Sequence, residues 1–347
     1  MMDASQGVPK HGGDPRHIPA ADAGVLMLDL ATGVNPWGWP VPAPPIACYS
    51  KLPYFNEGLQ RVAATYYGVP QECLLATAGS QAVIQQLPFL AASGRVLLSA
   101  VGYEEHRYRW ELAGHDVVEF HRYDRDAIAK QIRRDAVQHL VLISPNNPSA
   151  DQLDVDDLRY WRSLLPEEGM LVVDQAFADA NPESDVSALA GDRGIVLLRS
   201  VGKFFGLPGL RLGFVIAAPA LLAELDKHLG PWAVSGVAQW LGERALADQA
   251  WQQKMVAKLA DASEAQAELL VATFKDYGVR CVATALFVTL IMPLQRAEVL
   301  QMACYRAGLS VRLYRCGDTG FIRWGLAADI NELRLRLRQL NLSSLVA

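Results

Sequence analysis

The chain has 347 residues, 51% hydrophobic and 20% charged, a balance that supports a large core and excludes a mainly disordered chain. Its net charge of −5 argues against a nucleic-acid footprint. The five cysteines (Cys48, Cys73, Cys281, Cys304 and Cys316) are odd in number and have no C-x-x-C spacing, so neither a disulfide framework nor a zinc ribbon is expected.

At roughly 150 residues per domain, the length suggests two domains, or one large body with an appendage. Residues 1–10 lack the apolar core of a signal peptide. The longest charge-free stretch, residues 73–94, is interrupted by Gly79, Ser80, Gln81 and Pro88 and does not read as a membrane span. A cytoplasmic location is therefore expected. Residues 35–45 hold five prolines and read as an extended linker after an N-terminal arm.

From residue 59 onward the pattern alternates. Residues 59–67 and 81–92 read as helices, as do 124–136 and 155–165. The runs 73–77, 95–100, 140–144, 170–173, 195–198 and 212–217 are short and apolar, which fits strands buried on both faces. The alternation implies a doubly wound α/β domain with a mainly parallel sheet over residues 46–225. Residues 239–273 read as a long interdomain helix. Strand-like runs 286–292 and 321–325, between helices 296–307 and 330–341, imply a smaller α+β domain. The expected division is 1–45, 46–225 and 226–347.

In open α/β sheets, ligands bind beyond the carboxyl ends of the strands. Gly79 and Ser80 follow the first run, Asn147 the third and Asp174 the fourth; Ser200 and Lys203 follow the fifth. Together these residues have the chemistry of a pyridoxal-phosphate site. Lys203 would form the Schiff base. Asp174 would keep the pyridine nitrogen protonated, and Asn147 would donate to the phenolate oxygen. Amides at Gly79, Ser80 and Gln81, at a helix N-terminus, would bind the phosphate, with Ser200 and Arg211 adding a hydroxyl and a fork of donors. Read singly, Lys203 is an ordinary solvated lysine and Asp174 a helix cap. The grouping is what favours function.

The segment RSVGKFFGLPGLRLGF, residues 199–214, resembles the lysine segment of fold-type I pyridoxal-phosphate enzymes of the aminotransferase class I/II superfamily. The resemblance is greatest to its threonine-phosphate decarboxylases. The segments HGGD (11–14), LDLATGVNP (28–36), NNP (146–148), DQAFAD (174–179) and PWAVS (231–235) agree with it. The resemblance implies decarboxylation of O-phospho-L-threonine to aminopropanol phosphate for cobalamin biosynthesis. It implies that Tyr103 stacks on the cofactor, and that Arg323 and Arg312 bind substrate anions. It implies that His11, Gly33 and Asn35 lie in segments closing over substrate. Tyr49 would reach the phosphate of a neighbouring subunit's cofactor, which implies a homodimer.

The sequence departs from the superfamily pattern at several positions. Phe177 stands where most aminotransferases have Tyr, a change shared with the decarboxylases. Gly202 replaces a usual Ser or Thr, Ala150 a usual Gly and His106 a common Tyr. Chemically, a decarboxylase must turn the substrate carboxylate out of the cofactor plane, and the binding groups make that choice. Substrate phosphate that engages Arg323 and Arg312 would free the carboxylate to rotate. A histidinol-phosphate-type aminotransferase is the alternative, and Phe177 and the His-Gly-Gly arm weigh against it. A non-catalytic protein of the same fold is weighed against by the intact Lys203, Asp174, Asn147 and Arg211. The remaining histidines have no metal spacing, so no metal is expected.

Overall fold

A computed structural model describes residues 9, 25–54 and 56–340; His11 lies outside the described residues. The chain forms two compact units. One comprises residues up to Pro36, Pro148–Ala150 and the chain from Lys258; the other comprises Trp37–Asn147 and Asp151–Ala257. β1 (Leu28–Asp29) opens the described chain. β2 (Leu74–Thr77), β3 (Arg95–Ser99), β4 (Asp116–Phe120), β5 (His139–Ile143), β6 (Leu171–Asp174), β7 (Ile195–Ser200) and β8 (Gly213–Ala217) follow. β9 (Arg280–Thr284), β10 (Phe287–Pro293), β11 (Leu309–Ser310), β12 (Arg312–Cys316) and β13 (Thr319–Gly325) complete the strands.

The larger unit is built on a seven-stranded sheet of order β2-β8-β7-β6-β5-β3-β4. Within the run β7-β6-β5-β3 each neighbouring pair is parallel, and β4 pairs in parallel with β3 at one edge. β8 runs antiparallel to both β2 and β7, so the sheet is mixed but mostly parallel. Every residue of β5 and β6 is buried, as the unbroken apolar runs require. Ile143, Asp174 and Leu198 stand side by side in register. The carboxyl ends of β5, β6 and β7 therefore lie together.

The smaller unit holds a four-stranded antiparallel sheet of order β12-β13-β10-β9. Its core collects Val288, Leu290, Leu313, Ile322 and Trp324 with Leu270 and Phe274 from the end of the helix Gln249–Phe274, Leu300 from the helix Leu294–Arg306 and Leu333 from the helix Ile330–Leu337.

The units separate near residue 257, not at the expected 225/226. The helix Pro219–Leu229 packs Leu222 and Leu225 against Val215 and Ala217 of the larger unit's core. Trp251 stacks on Phe205 at 5.6 Å, so the first turns of the next long helix stay with that unit too. The expected arm does not stand alone, because β1 pairs in parallel with β11. The proline-rich run is no free spacer either. Trp39 is buried, its amide donates to Phe205 O at 2.8 Å, and its Nε1 donates to Asp248 Oδ2 at 3.0 Å.

Candidate active site

Within the larger unit, β2 ends at Thr77, and Gly79 two residues on caps the helix Ser80–Leu90. Gly79 has φ +75°, and a Cβ there would sit 2.7 Å from Arg211 Nη2. Glycine is required at this point both by the positive φ and by the close approach of the guanidinium. Arg211, itself in the left-handed region at φ 52°, anchors Nη1 on Pro208 O at 3.0 Å. A helix N-terminus beside a cation is a ready anion site. Glycine at 213 is required as well, since a Cβ there would lie 2.6 Å from the amide of Ser80.

Asp174, 4% exposed, ends β6. Its Oδ1 accepts from the Ala176 amide at 2.9 Å. Its Oδ2 meets His106 Nε2 at 3.0 Å. Asn147 is buried nearby in the chain after β5. Tyr103 donates its hydroxyl to Gln81 Oε1 at 3.1 Å, and Gln81 Nε2 donates to Glu105 Oε2 at 2.7 Å. Glu105 also takes Arg109 Nε at 3.3 Å. The Gln81 side chain is thus bound to the helix Glu104–Leu112, while its backbone lies in the first turn of the helix Ser80–Leu90.

Ser200 caps the short helix Val201–Phe204 by accepting from the Gly202 amide. Lys203 lies on that helix, with Nζ 5.4 Å from the centre of the Phe177 ring. A Cβ on Gly202 would approach Pro208 Cα to 3.2 Å, a close contact that Ser or Thr could make only if Pro208 shifted. Ala150 adopts φ 63°, a conformation that an L-residue adopts at a cost of about 1–2 kcal/mol, so Gly is the usual residue for a physical reason.

Within the smaller unit, Arg312 and Arg323 are cross-strand partners on β12 and β13. Arg323 is 5% exposed, and its Nη2 donates to Ala31 O. Its guanidinium lies 5.6 Å from both the Phe287 and Tyr314 rings, and that of Arg312 lies 5.4 Å from Tyr314. Burial lowers the pKa of Arg323; Tyr314, a side-chain hydrogen-bond partner, and Asp29 raise it again, while Arg312 lowers it further. Like charges directly opposite on neighbouring strands are destabilising. An anion between them would relieve that repulsion. Gly33 and Asn35 are buried in the same unit.

Tyr49 lies in the helix Ala47–Ser50 and is 62% exposed. Ile46, Leu52, Tyr54 and Trp232 are also exposed apolar residues, and Tyr54 and Trp232 meet edge to face at 6.3 Å. Two residues with evident geometry were not among the expected site residues. His106 stood out only as a departure from Tyr, and nothing in the sequence links it to an aspartate 68 positions away. Tyr314 gave no signal beyond lying between Arg312 and Arg323. No group of metal-ligating side chains is found among the described residues, nor is any described helix long and apolar enough to cross a membrane.

The chain matches the family described as aminotransferase class I and II over residues 48–335. It is 36% identical over 328 residues to a threonine-phosphate decarboxylase of Pseudomonas aeruginosa, covering 92% of this chain and 93% of that one. It is 35% identical over 309 residues to a threonine-phosphate decarboxylase of Sinorhizobium sp., covering 87% and 88%. Among solved structures it is similar to the histidinol-phosphate aminotransferase of Sinorhizobium meliloti in complex with pyridoxal-5'-phosphate, with a TM-score of 0.71 and 20% identity over 86% of this chain and 84% of that one. At that identity the likeness shows a shared fold.

Proposed function

The chain belongs to the aminotransferase class I and II family, and on that footing we propose that it decarboxylates O-phospho-L-threonine to (R)-1-amino-2-propanol phosphate in cobalamin biosynthesis. Its near full-length match to threonine-phosphate decarboxylases carries the reading. Pyridoxal phosphate is the cofactor, and the donor set fits it. Gly79 leaves room for Arg211 beside a helix N-terminus, and a buried aspartate and a lysine stand at neighbouring strand ends. When bound, pyridoxal phosphate supplies an electron sink for the pair left on the substrate carbon as carbon dioxide departs.

This chain's residues do the rest. The amides of Gly79, Ser80 and Gln81, with Ser200 and Arg211, would hold the cofactor phosphate. Asp174 would hold a proton at the ring nitrogen, Asn147 would donate to the ring oxygen and Tyr103 would stack on the ring. Lys203 would hold the cofactor's aldehyde carbon, and its Nζ would supply a proton to the substrate carbon. Phe177 gives the ring oxygen no hydroxyl partner. Arg323 and Arg312 would take the substrate's anionic groups, and Gly33, Asn35 and His11 are further substrate-binding residues in this reading. The protein works as a cytoplasmic homodimer, in which Tyr49 reaches the partner's cofactor phosphate. The exposure of Tyr49, alongside Ile46, Leu52, Tyr54 and Trp232, supports the dimer.

The test supplies purified protein with pyridoxal phosphate and O-phospho-L-threonine and no keto acid. Carbon dioxide and aminopropanol phosphate are expected, and both are expected to vanish in Lys203→Ala. Lysine-bound cofactor absorbance without product, combined with keto-acid-dependent turnover of histidinol phosphate, would shift the reading to the aminotransferase. Absence of that absorbance would overturn it.

A further inference from the structure

Asp179, the last residue of DQAFAD, and Arg199, the first of RSVGKF, belong to segments of the site, yet the proposed chemistry leaves both unused. They meet inside the larger unit. Arg199 Nη1 lies 3.4 Å from Asp179 Oδ1, with both side chains 3% exposed or less. Nη2 of the same guanidinium bonds Asp185 and Ser187 Oγ, the latter at 2.8 Å. The Tyr67 ring covers the guanidinium at 5.0 Å. Asp185 is 42% exposed, so the cluster has one wet end.

This cluster is a poor device for stability alone. Desolvating an ion pair costs about as much as the pairing returns unless every polar atom is satisfied. Here Tyr67 Oη, Gln175 Oε1, Asp179 Oδ2 and Arg199 Nε are buried with no hydrogen-bond partner among the described residues. Burial, opposed by Arg199 and aided by Asp185, pushes the Asp179 carboxyl up to about 7. Burial and then the charge of Asp179 push the phenols of Tyr66 and Tyr67 well above their ordinary range. Two carboxylates, one guanidinium and two phenols thus face one another from the helix Glu57–Tyr67, β7 and the loop after β6.

What the pair connects is informative. Arg199 directly precedes Ser200, which caps the helix carrying Lys203. Asp179 follows Phe177 by two residues, and the Phe177 ring faces the Lys203 amine. The ion pair therefore ties together the two segments on either side of that amine. We propose that Arg199 and Asp179 are positioning residues that hold the Lys203 amine against Phe177 and so tune the ionisation of the lysine-bound cofactor. This rests on the reading that Lys203 carries the cofactor.

The test compares holoenzyme with Asp179→Asn and Arg199→Lys. The lysine replacement keeps the charge and loses the planar fork. The readouts are the pH midpoint of the lysine-bound cofactor's absorbance, the cofactor dissociation constant, and melting of the cofactor-free protein. Each variant is expected to move the midpoint by about half a pH unit and to weaken cofactor binding about tenfold, the effect of one lost charged hydrogen bond. Folded variants with lower melting temperatures but a wild-type midpoint and affinity would reduce the pair to a structural brace and overturn the proposal. If Asp179→Asn does not fold, Arg199→Lys decides by the same readouts. A wild-type protein with no lysine-bound absorbance would instead overturn the cofactor reading beneath it.

Discussion

His106 shows how much a single buried side chain can decide. Asp174 has two described donors, the Ala176 amide and the His106 ring. Replacing His106 by Phe keeps the volume and removes one of them. A hydrogen bond to a charged group contributes about 1.5–3 kcal/mol, so His106→Phe is expected to weaken cofactor binding by roughly 10- to 150-fold. Titrating the cofactor-free protein with pyridoxal phosphate and following absorbance checks this; an unchanged affinity would detach His106 from the site. The polar residues at strand ends were legible in the sequence because an apolar run announces where a strand stops, and Asp174, Asn147 and Lys203 follow such runs. His106 was not, because it lies on a helix whose contact with β6 is made only by the fold. Asp179 and Arg199 were visible as letters of two segments, and only packing shows that they meet.

At the scale of elements, legibility followed burial. β5, β6 and β8 are buried along their whole length, and their runs stood out. β4 at the sheet edge has its first residue exposed and the next three half-buried, and its sequence DVVEF gave no continuous run. β12, RLYRC, is half-buried at most positions and carries two arginines. Its sequence gave no continuous apolar run for that reason. Yet β12 places Arg312 opposite Arg323, with the Tyr314 ring near both guanidiniums. A desolvated cation–π contact contributes about 1–2 kcal/mol. Tyr314→Leu is therefore expected to raise KM for O-phospho-L-threonine by roughly 5- to 30-fold, with kcat changed less. Tyr314→Phe keeps the ring but loses the hydroxyl's hydrogen bond to Arg323 and should recover only part of that loss. Steady-state kinetics of both variants checks it, and a leucine variant with wild-type KM would show that the ring does not order the arginines.

For the whole molecule, the response of stability to pH is a sum of opposing groups. Asp179 has its folded pKa pushed up from 3.8 to about 7, chiefly by burial. Between those values the folded protein keeps a proton that the unfolded chain has released. Stability therefore falls as pH rises through that window, the reverse of the usual carboxylate. His139 works against it: burial lowers its folded pKa, so stability rises as pH climbs through the unfolded histidine range near 6.5. Asp135 and Glu224, lowered by their bonds to Arg134 and Lys227, lose their contributions only in more acidic solution. The raw curve of the protein thus hides the Asp179 contribution, but a difference isolates it. The gap in unfolding free energy between wild type and Asp179→Asn, both saturated with cofactor, cancels His139 and the surface carboxylates. That gap should shift against the wild type as pH rises from 5 toward 7, by at most about 1.4 kcal/mol per pH unit, and level off above. Urea unfolding at a series of pH values measures it. A gap that stays constant across the range would mean that Asp179 is ionised throughout, and that Arg199 outweighs the cost of burying its charge.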